Sequence, residues 1–288
     1  MQLLQPSPGR VIVDGTLGGG GHSEALLEAG ATVVGVDRDP AALGFAMERL
    51  ARFGDRFRAL KGTFGQVAAL VDGPVDGLLL DLGVSSPQLD TAARGFSFTH
   101  DGPLDMRMSG EGETAEALIA RLEVDELADV LYRFGEERFS RPIARSLKER
   151  APTTTFEAVA AIKAAVPRRA WPKELHVATR TFQGLRIAVN RELDELEAAL
   201  AVVSTLLAPK GRVAVISFHS LEDRMVKHRF RALCGEAPSE LPRGLPVEVS
   251  RAAPFVALTK KAVIASDEEA SRNPRSRSAR LRAVEKVS

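Results

Sequence analysis

The chain has 288 residues, 44% hydrophobic and 27% charged, which is enough for one large or two moderate domains and excludes a mostly disordered protein. The net charge of +1 excludes a chain that is basic throughout, and the single cysteine, Cys234, excludes an internal disulfide and fits a reducing cytosol. Because no charged-then-apolar leader opens the sequence and no run approaches the ~18 apolar residues of a membrane span, we expect a cytoplasmic protein with no membrane partner.

The first predicted strand leads into a glycine-rich loop, and a helix follows from about His22 through Glu28. Because glycine lacks a Cβ, successive glycines let a ligand approach the main-chain N–H groups at the start of that helix. A second strand, Thr32 to Val36, ends on Asp37, whose carboxylate can accept hydrogen bonds from both hydroxyls of a ribose. The glycine-rich loop and Asp37 together predict a pocket for a nucleotide-type cofactor. The strand and loop are Ile12-Val13-Asp14-Gly15-Thr16-Leu17-Gly18-Gly19-Gly20-Gly21.

Two cofactors suit this arrangement. The dinucleotide fingerprint Gly-x-Gly-x-x-Gly is incomplete, because Ser23 stands where the third glycine is expected. Asp14 at the end of the first strand, followed by Gly-x-x-Gly, is the pattern of S-adenosylmethionine enzymes, whose cofactor has no pyrophosphate. The spacing therefore favours S-adenosylmethionine over NAD. A loop that merely connects strand to helix remains the third interpretation.

Strands and helices continue to alternate up to about residue 104. Pro40 to Arg52 has helical periodicity, with Pro40 at a first-turn position. Arg56 to Lys61 predicts a short third strand. Val75 to Leu82 predicts a fourth, nearly continuous in apolar residues as buried parallel strands are.

The middle of the chain has a different pattern. From about Asp105 to Arg180 there is no comparable strand, so we predict an inserted all-helical domain, residues 105–180, folded over the carboxyl ends of strands four and five. The flanking residues 1–104 and 181–288 then form one doubly wound, mostly parallel α/β sheet domain. The later predicted elements are a helix over Ile187 to Leu207, a strand over Gly211 to Phe218, and weaker strands over Phe255 to Thr259 and Ala279 to Val284.

Basic residues cluster in three stretches, 138–150, 158–173 and the segment from Ser271. Such clusters suit a phosphate backbone, and an aromatic side chain among them can stack on an unpaired base. The alternative for each stretch is a solvated helix face or a mobile tail. The candidates for RNA binding are Arg168, Arg169, Trp171, Lys173, Arg275 and Arg277.

A set of ordered motifs after strands four and five narrows the class of protein to which this chain could belong. Together they closely resemble the bacterial methyltransferases that modify the N4 amino group of a cytosine in small-subunit (16S) ribosomal RNA. The resemblance runs from about residue 10 to the C-terminus, although family members usually begin with a further His-x-Pro-Val-Leu segment. The motifs are Asp81 to Asp90, Arg94 to Phe98, Asp101 to Met108, Arg180 to Ile187, Val189 to Leu193, Ser217 to Arg224 and Asn273 to Ser278.

The resemblance implies a class I methyltransferase fold with a helical insertion and S-adenosylmethionine as methyl donor. It further implies a substrate in the decoding region of 16S ribosomal RNA, within the assembled small subunit. No metal site is predicted, and the oligomeric state is left open, with a dimer as one alternative. The positions that match the family's cofactor site are Gly20, Gly21, His22, Asp37, Phe64, Asp81 and Gln88.

The cytosine N4 lone pair is delocalised into the ring, so the nitrogen must become pyramidal to attack the methyl group. The reaction therefore requires a group that holds or accepts an amino proton. The candidate acceptors are Asp81, Ser85, Ser86 and Asp105, and Asp81 has the alternative of serving the cofactor. Phe96 or Phe98 is a candidate for stacking on an extruded cytosine, with plain packing as the alternative. Methylation at C5 needs a nucleophilic cysteine near the active strands, and Cys234 lies too far along the chain.

Two other classes of function stay open on the sequence. The protein could methylate a small molecule or another protein, and the basic stretches would then be incidental. It could instead be an RNA-binding assembly factor that holds the cofactor only as a ligand.

Overall fold

The computed structural model describes residues 2–236 and 253–288. They fall into two compact units: a sheet unit within Met1–Gly83 and Leu193–Ser288, and a helical unit, Val84–Glu192. No helix in the described ranges is long and apolar enough to cross a membrane.

One mixed sheet forms the sheet unit. β1 to β5 are parallel in the order β3-β2-β1-β4-β5, and β8, β6 and β7 extend the β5 edge in antiparallel pairing. This confirms the predicted mostly parallel, class I methyltransferase-like fold. The strands are β1 (Val11–Asp14), β2 (Thr32–Asp37), β3 (Phe57–Lys61), β4 (Val75–Asp81), β5 (Leu207–Ser217), β6 (Phe255–Ala257), β7 (Val263–Ile264) and β8 (Arg280–Lys286).

The helices of the sheet unit cover both faces of the sheet, and two apolar clusters lie on its opposite sides. Val13, Leu78 and Val215 belong to one cluster, whereas Ile12, Leu79 and Ala214 belong to the other. Successive residues of a strand therefore enter different cores, as the period of two requires. The helices of this unit are α1 (Gly21–Glu28), α2 (Pro40–Leu50), α3 (Val67–Leu70), α10 (Glu192–Leu206, from Leu193), α11 (Ser220–Leu233) and α12 (Asp267–Arg272).

All of the helical unit is described, and apart from one isolated bridge, Pro103 to Thr154, it contains no β pairing. It is wider than the predicted 105–180, because Phe96, Leu104, Phe182 and Leu185 are buried in its core. Its helices are α4 (Ser86–Asp90), α5 (Ala115–Arg121), α6 (Val124–Gly135), α7 (Ser140–Arg150), α8 (Thr155–Ala165) and α9 (Thr179–Asn190).

The single helix predicted over Ile187 to Leu207 is wrong: α9 and α10 are separate helices, divided at Arg191. Arg191 has a left-handed backbone, φ 52°, which ends α9. The buried Asn190 side chain donates to Met106 O and accepts from Met108 N, both at 2.8 Å. These tertiary hydrogen bonds stabilise the break between α9 and α10, and they cannot be predicted from the helical pattern of apolar residues.

Candidate functional site

The glycine-rich loop after β1 is shaped by buried hydrogen bonds. Asp14, fully buried at the end of β1, accepts from Ser23 Oγ at 2.7 Å and from Thr16 N at 3.2 Å. Burial raises the pKa of Asp14, and the hydrogen bond from Ser23 opposes that rise. Asp14 therefore holds the loop against the start of α1, a structural role rather than a ligand contact.

Gly20 needs to be glycine for two reasons. Its φ of 75° lies in the left-handed region, and a Cβ there would come within 3.1 Å of Leu50 Cδ1. Gly20 is the N-cap residue of α1, and Gly21 and His22 form its first turn. The three cofactor candidates of the loop thus lie together at the amino end of one helix, where N–H groups are available to an anionic group.

Asp37, at the end of β2, faces the same loop. Its Oδ2 accepts from Gly18 N at 2.7 Å and its Oδ1 accepts from Asp39 N at 2.9 Å. Burial raises the pKa of Asp37, and the two backbone hydrogen bonds counteract this. Each carboxylate oxygen keeps further acceptor capacity, which suits the paired hydroxyls of a ribose.

Asp81 closes β4 and approaches α1. Its Oδ2 lies 3.1 Å from His22 Nε2, and this hydrogen bond is the main cause that raises the pKa of His22. The Asp81 main-chain N–H donates to Thr16 Oγ1 at 2.6 Å, which anchors the backbone at the end of the strand. Within the described residues, Asp81 Oδ1 is buried and has no hydrogen-bond partner. A buried acceptor without a donor is costly, so this oxygen points to a ligand donor.

Phe64 begins a short 3-10 turn after β3 and is half-buried against the core of the sheet. The next residue, Gly65, donates to Glu195 Oε2 at 3.2 Å, and Glu195 lies 3.4 Å from Arg38. Sequence reasoning missed Thr16, Glu195 and Arg38 as supports of this edge. Glu195 is distant along the chain, so no local spacing could have indicated it.

The candidates on the helical unit already have structural partners. Gln88 is 6% exposed and its Oε1 accepts from Ser85 N at 3.0 Å, in a capping box at the start of α4. Ser85 is the N-cap of that helix, and Ser86 is exposed. A role for Gln88 at the cofactor therefore stays a prediction beside a capping role that the structure describes.

Asp105 is held by Arg107, whose Nε and Nη2 donate to its two oxygens at 2.9 and 2.7 Å. Burial alone would raise the pKa of Asp105, but the hydrogen bonds and charge of Arg107 bring it below its ordinary value. A carboxylate with a lowered pKa is a poor proton acceptor, and this weakens the case for Asp105 as the base.

The aromatic candidates pack within the helical unit. Phe96 is buried in its core, and Phe98 stacks on His176 with ring centroids 4.5 Å apart. Trp171 is half-buried and its Nε1 donates to Val166 O at 3.0 Å. Lys163 Nζ and Arg168 Cζ lie 5.9 and 5.8 Å from the centroid of the Trp171 ring. Two cations therefore lie near the Trp171 ring, and its role in stacking on a base stays a prediction.

The basic candidates are exposed. Arg168, Arg169 and Lys173 lie on one segment of the helical unit, and among the residues that the structure describes none of them pairs with a carboxylate. Arg275 and Arg277 are exposed on a 3-10 turn of the sheet unit, Pro274–Ser278, on either side of the buried Ser276. The two sets therefore belong to different units.

Cys234 lies at the end of α11 as a half-buried free thiol. Burial, together with the nearby charge of Glu236, raises the pKa of its thiol. A raised pKa leaves less thiolate for nucleophilic attack.

The family model and the full-length relatives that match this chain agree with each other. A model described as the MraW methylase family matches residues 1–287. The ribosomal RNA small subunit methyltransferase H of Myxococcus xanthus is 59% identical over 290 residues, which cover 100% of this chain and 94% of that protein. The protein of the same name from Anaeromyxobacter sp. is 56% identical over 296 residues, with 100% and 95% covered. A solved rRNA methylase from Streptococcus thermophilus aligns with a TM-score of 0.42 at 12% identity, over 100% of this chain and 91% of that one.

Proposed function

Because the chain belongs to the MraW methylase family, we propose that it is an S-adenosylmethionine-dependent methyltransferase that modifies the N4 amino group of one cytidine in the decoding region of 16S ribosomal RNA. The relatives named ribosomal RNA small subunit methyltransferase H align with this chain over nearly their whole length. The main structural support for the proposal is Asp81 Oδ1, which is buried and has no hydrogen-bond donor among the described residues. It lies at the sheet edge where the cofactor and the cytosine would meet.

The residues at the carboxyl ends of β1, β2, β3 and β4 fit S-adenosylmethionine. Asp37 would hold the ribose hydroxyls, the N–H groups of Gly21 and His22 in the first turn of α1 the carboxylate, and Phe64 the adenine. His22 and Gln88 complete the proposed set. When bound, this cofactor supplies a methyl group on a positively charged sulfur, which is an electrophile.

Transfer to cytosine N4 requires the nitrogen to become tetrahedral and to lose a proton. Asp81 suits this because a buried carboxylate oxygen without a protein donor can accept a hydrogen bond from the amino group and then its proton. The same oxygen could instead receive the ammonium group of the cofactor. Ser85 and Ser86 remain weaker candidates, because a hydroxyl can orient an amino group but is a poor base.

The proposed RNA surface of the helical unit consists of Arg168, Arg169 and Lys173, together with Trp171, whose ring lies beside Arg168. These exposed cations suit the phosphate backbone, which supplies most of the sequence-independent affinity. No sequence-reading repeat is visible in the chain, so we expect recognition of RNA shape, with the assembled small subunit preferred to naked RNA. Such a substrate places the enzyme in the cytoplasm.

The substrate assignment predicts a defined loss in cells. In a strain that lacks this protein, one cytidine of 16S ribosomal RNA should lose a methyl group from N4 and regain it when purified enzyme and S-adenosylmethionine are added to isolated subunits. Nucleoside mass spectrometry of the RNA measures both changes. Finding 5-methylcytidine as the product would refute the proposed chemistry, and finding the label only in protein or small molecules would refute the substrate class.

A charge reversal tests the RNA surface of the helical unit. The triple variant Arg168→Glu, Arg169→Glu and Lys173→Glu should bind small subunits more weakly and with a flatter salt dependence. Each lost phosphate contact lowers the slope of log affinity against log salt by about 0.7 to 0.9. Equilibrium binding between low and moderate salt gives this slope.

The control for that experiment is Arg133→Glu, because Arg133 is also exposed on the helical unit but pairs with Asp129 at 3.5 Å. Cofactor affinity should stay unchanged in both variants. A triple variant with the wild-type salt slope would show that the three cations are only a solvated face.

A further inference from the structure

An open groove of about 680 Å³ lies on the sheet unit beside the carboxyl end of β5. One wall is Phe218 to Ser220, which lead from β5 into α11, and the opposite wall is Arg277 to Arg280. We propose that this groove binds the ribose-phosphate backbone of the RNA next to the target cytidine. The inference rests on the proposed function and adds a substrate subsite to it.

The groove lies at the sheet edge where transfer would take place. Asp81, the last residue of β4, is in register with Ile216 of β5, and Leu82 N donates to Ile216 O at 2.9 Å. Phe218 follows two residues later and its ring is 3.7 Å from where a Cβ on Gly83 would be. A nucleotide whose base reaches Asp81 would therefore have this groove within reach of its backbone.

The groove has an excess of guanidinium groups. Asp223, whose side chain is 9% exposed, receives Arg282 Nε at 2.7 Å and Nη2 at 3.1 Å, whereas Arg280 Nη1 lies at 3.3 Å. One carboxylate thus faces two arginines, and Arg280 keeps 55% of its side chain exposed. Arg282 and Asp223 lie outside the described lining, so its arginines are Arg277 and Arg280, and Arg277 pairs with no carboxylate in residues 2–236 and 253–288. Asp267 is the one acidic side chain in the described lining.

Arg277 lies on a 3-10 turn that is held by hydrogen bonds. Ser276 is 7% exposed, and both its N and its Oγ donate to Asn273 O, at 2.9 and 2.7 Å. Pro274 restricts the first residue of the same 3-10 turn. A cation held in place before binding loses less entropy on meeting a phosphate, and a guanidinium matches phosphate oxygens in a bidentate geometry.

The rim of the groove also carries apolar surface. Ile264 of β7 is 70% exposed and lines the groove, and its neighbour Val263 is 50% exposed. A ribose or an unstacked base can cover such side chains. Arginines beside exposed apolar groups suit single-stranded RNA, in which backbone and bases are both accessible.

The test is equilibrium binding of an RNA fragment spanning the decoding region, at several salt concentrations, to Arg277→Gln, Arg280→Gln and the double variant. We expect about a tenfold rise in Kd for Arg277→Gln, which corresponds to one lost charge-assisted hydrogen bond. The salt slope should fall by about 0.7 to 0.9 for each arginine. Because Arg277 has no described partner to lose, its variant should fold normally, and S-adenosylmethionine affinity should not change.

The matched control is Arg58→Gln, an exposed arginine on β3 at the opposite edge of the sheet. A double variant that keeps the wild-type Kd and salt slope overturns the proposal. So does a loss confined to assembled subunits with naked RNA bound normally, because the groove would then bind a ribosomal protein. If the wild-type enzyme binds RNA through these arginines yet transfers no methyl group, the proposed function is refuted, whereas RNA binding in the groove is still supported.

Discussion

Replacing Asp37 by alanine is expected to weaken S-adenosylmethionine binding on the order of 100-fold. Hydrogen bonds to a charged acceptor are each worth about 1.5 to 3 kcal/mol, so two ribose hydroxyls at the lower end give about 3 kcal/mol. Isothermal titration calorimetry of the purified protein measures the change in Kd.

The complication is that Asp37 also receives Gly18 N and Asp39 N, so its loss could loosen the glycine loop. A cofactor analogue without ribose hydroxyls separates the two effects in a double-mutant cycle. If Asp37 binds the hydroxyls, the wild type should lose affinity for the analogue, while Asp37→Ala should hardly distinguish the analogue from S-adenosylmethionine. Equal discrimination by both proteins would rule out the ribose contact, and a thermal unfolding curve would check that the variant is folded.

The Asp81→Asn substitution is expected to reduce kcat about 100-fold or more, with little change in the Kd of S-adenosylmethionine. Asparagine keeps the shape and one acceptor oxygen but cannot take up a proton, and removing a general base typically costs 10²- to 10⁴-fold. Single-turnover methyl transfer to small subunits at saturating cofactor measures the chemical step.

The competing role of Asp81 predicts a different split. If Asp81 holds the ammonium group of the cofactor, the substitution should raise the Kd of S-adenosylmethionine and leave transfer at saturation nearly unchanged. Asp72→Asn is the matched control, since the Asp72 side chain is 99% exposed and remote from β4's carboxyl end. Wild-type values for both Kd and kcat would remove Asp81 from the site.

The contrast between Asp81 and Asp105 shows how environment separates residues that the sequence treats alike. Both are carboxylates in the motifs that begin at the end of strand four, and both are candidates for the base. In the structure, Arg107 donates hydrogen bonds to Asp105 and lowers its pKa. In contrast, one Asp81 oxygen is buried without a hydrogen-bond donor in the described residues. Neither arrangement follows from spacing, because hydrogen-bond satisfaction depends on side-chain directions.

The sequence by itself determined the parts of this protein that rest on local rules. The glycine-rich loop between β1 and α1 follows from the backbone freedom of glycine, and the apolar runs of β4 and β5 follow from burial on both faces of a parallel sheet. Asp37 could be placed at the end of β2 because the strand and its end are both visible in the pattern.

Only the tertiary structure decided the features that join distant residues. The break at Arg191 depends on Asn190 reaching Met106 and Met108, and the antiparallel pairing of β8 with β5 depends on the direction in which the last segment returns along the sheet. The support of Gly65 by Glu195 was hidden for the same reason, whereas the capping box of Ser85 and Gln88 is a local Ser-x-x-Gln pattern that sequence reasoning missed. Periodicity records which face of an element is buried, whereas hydrogen bonds between elements are settled only when the chain has folded.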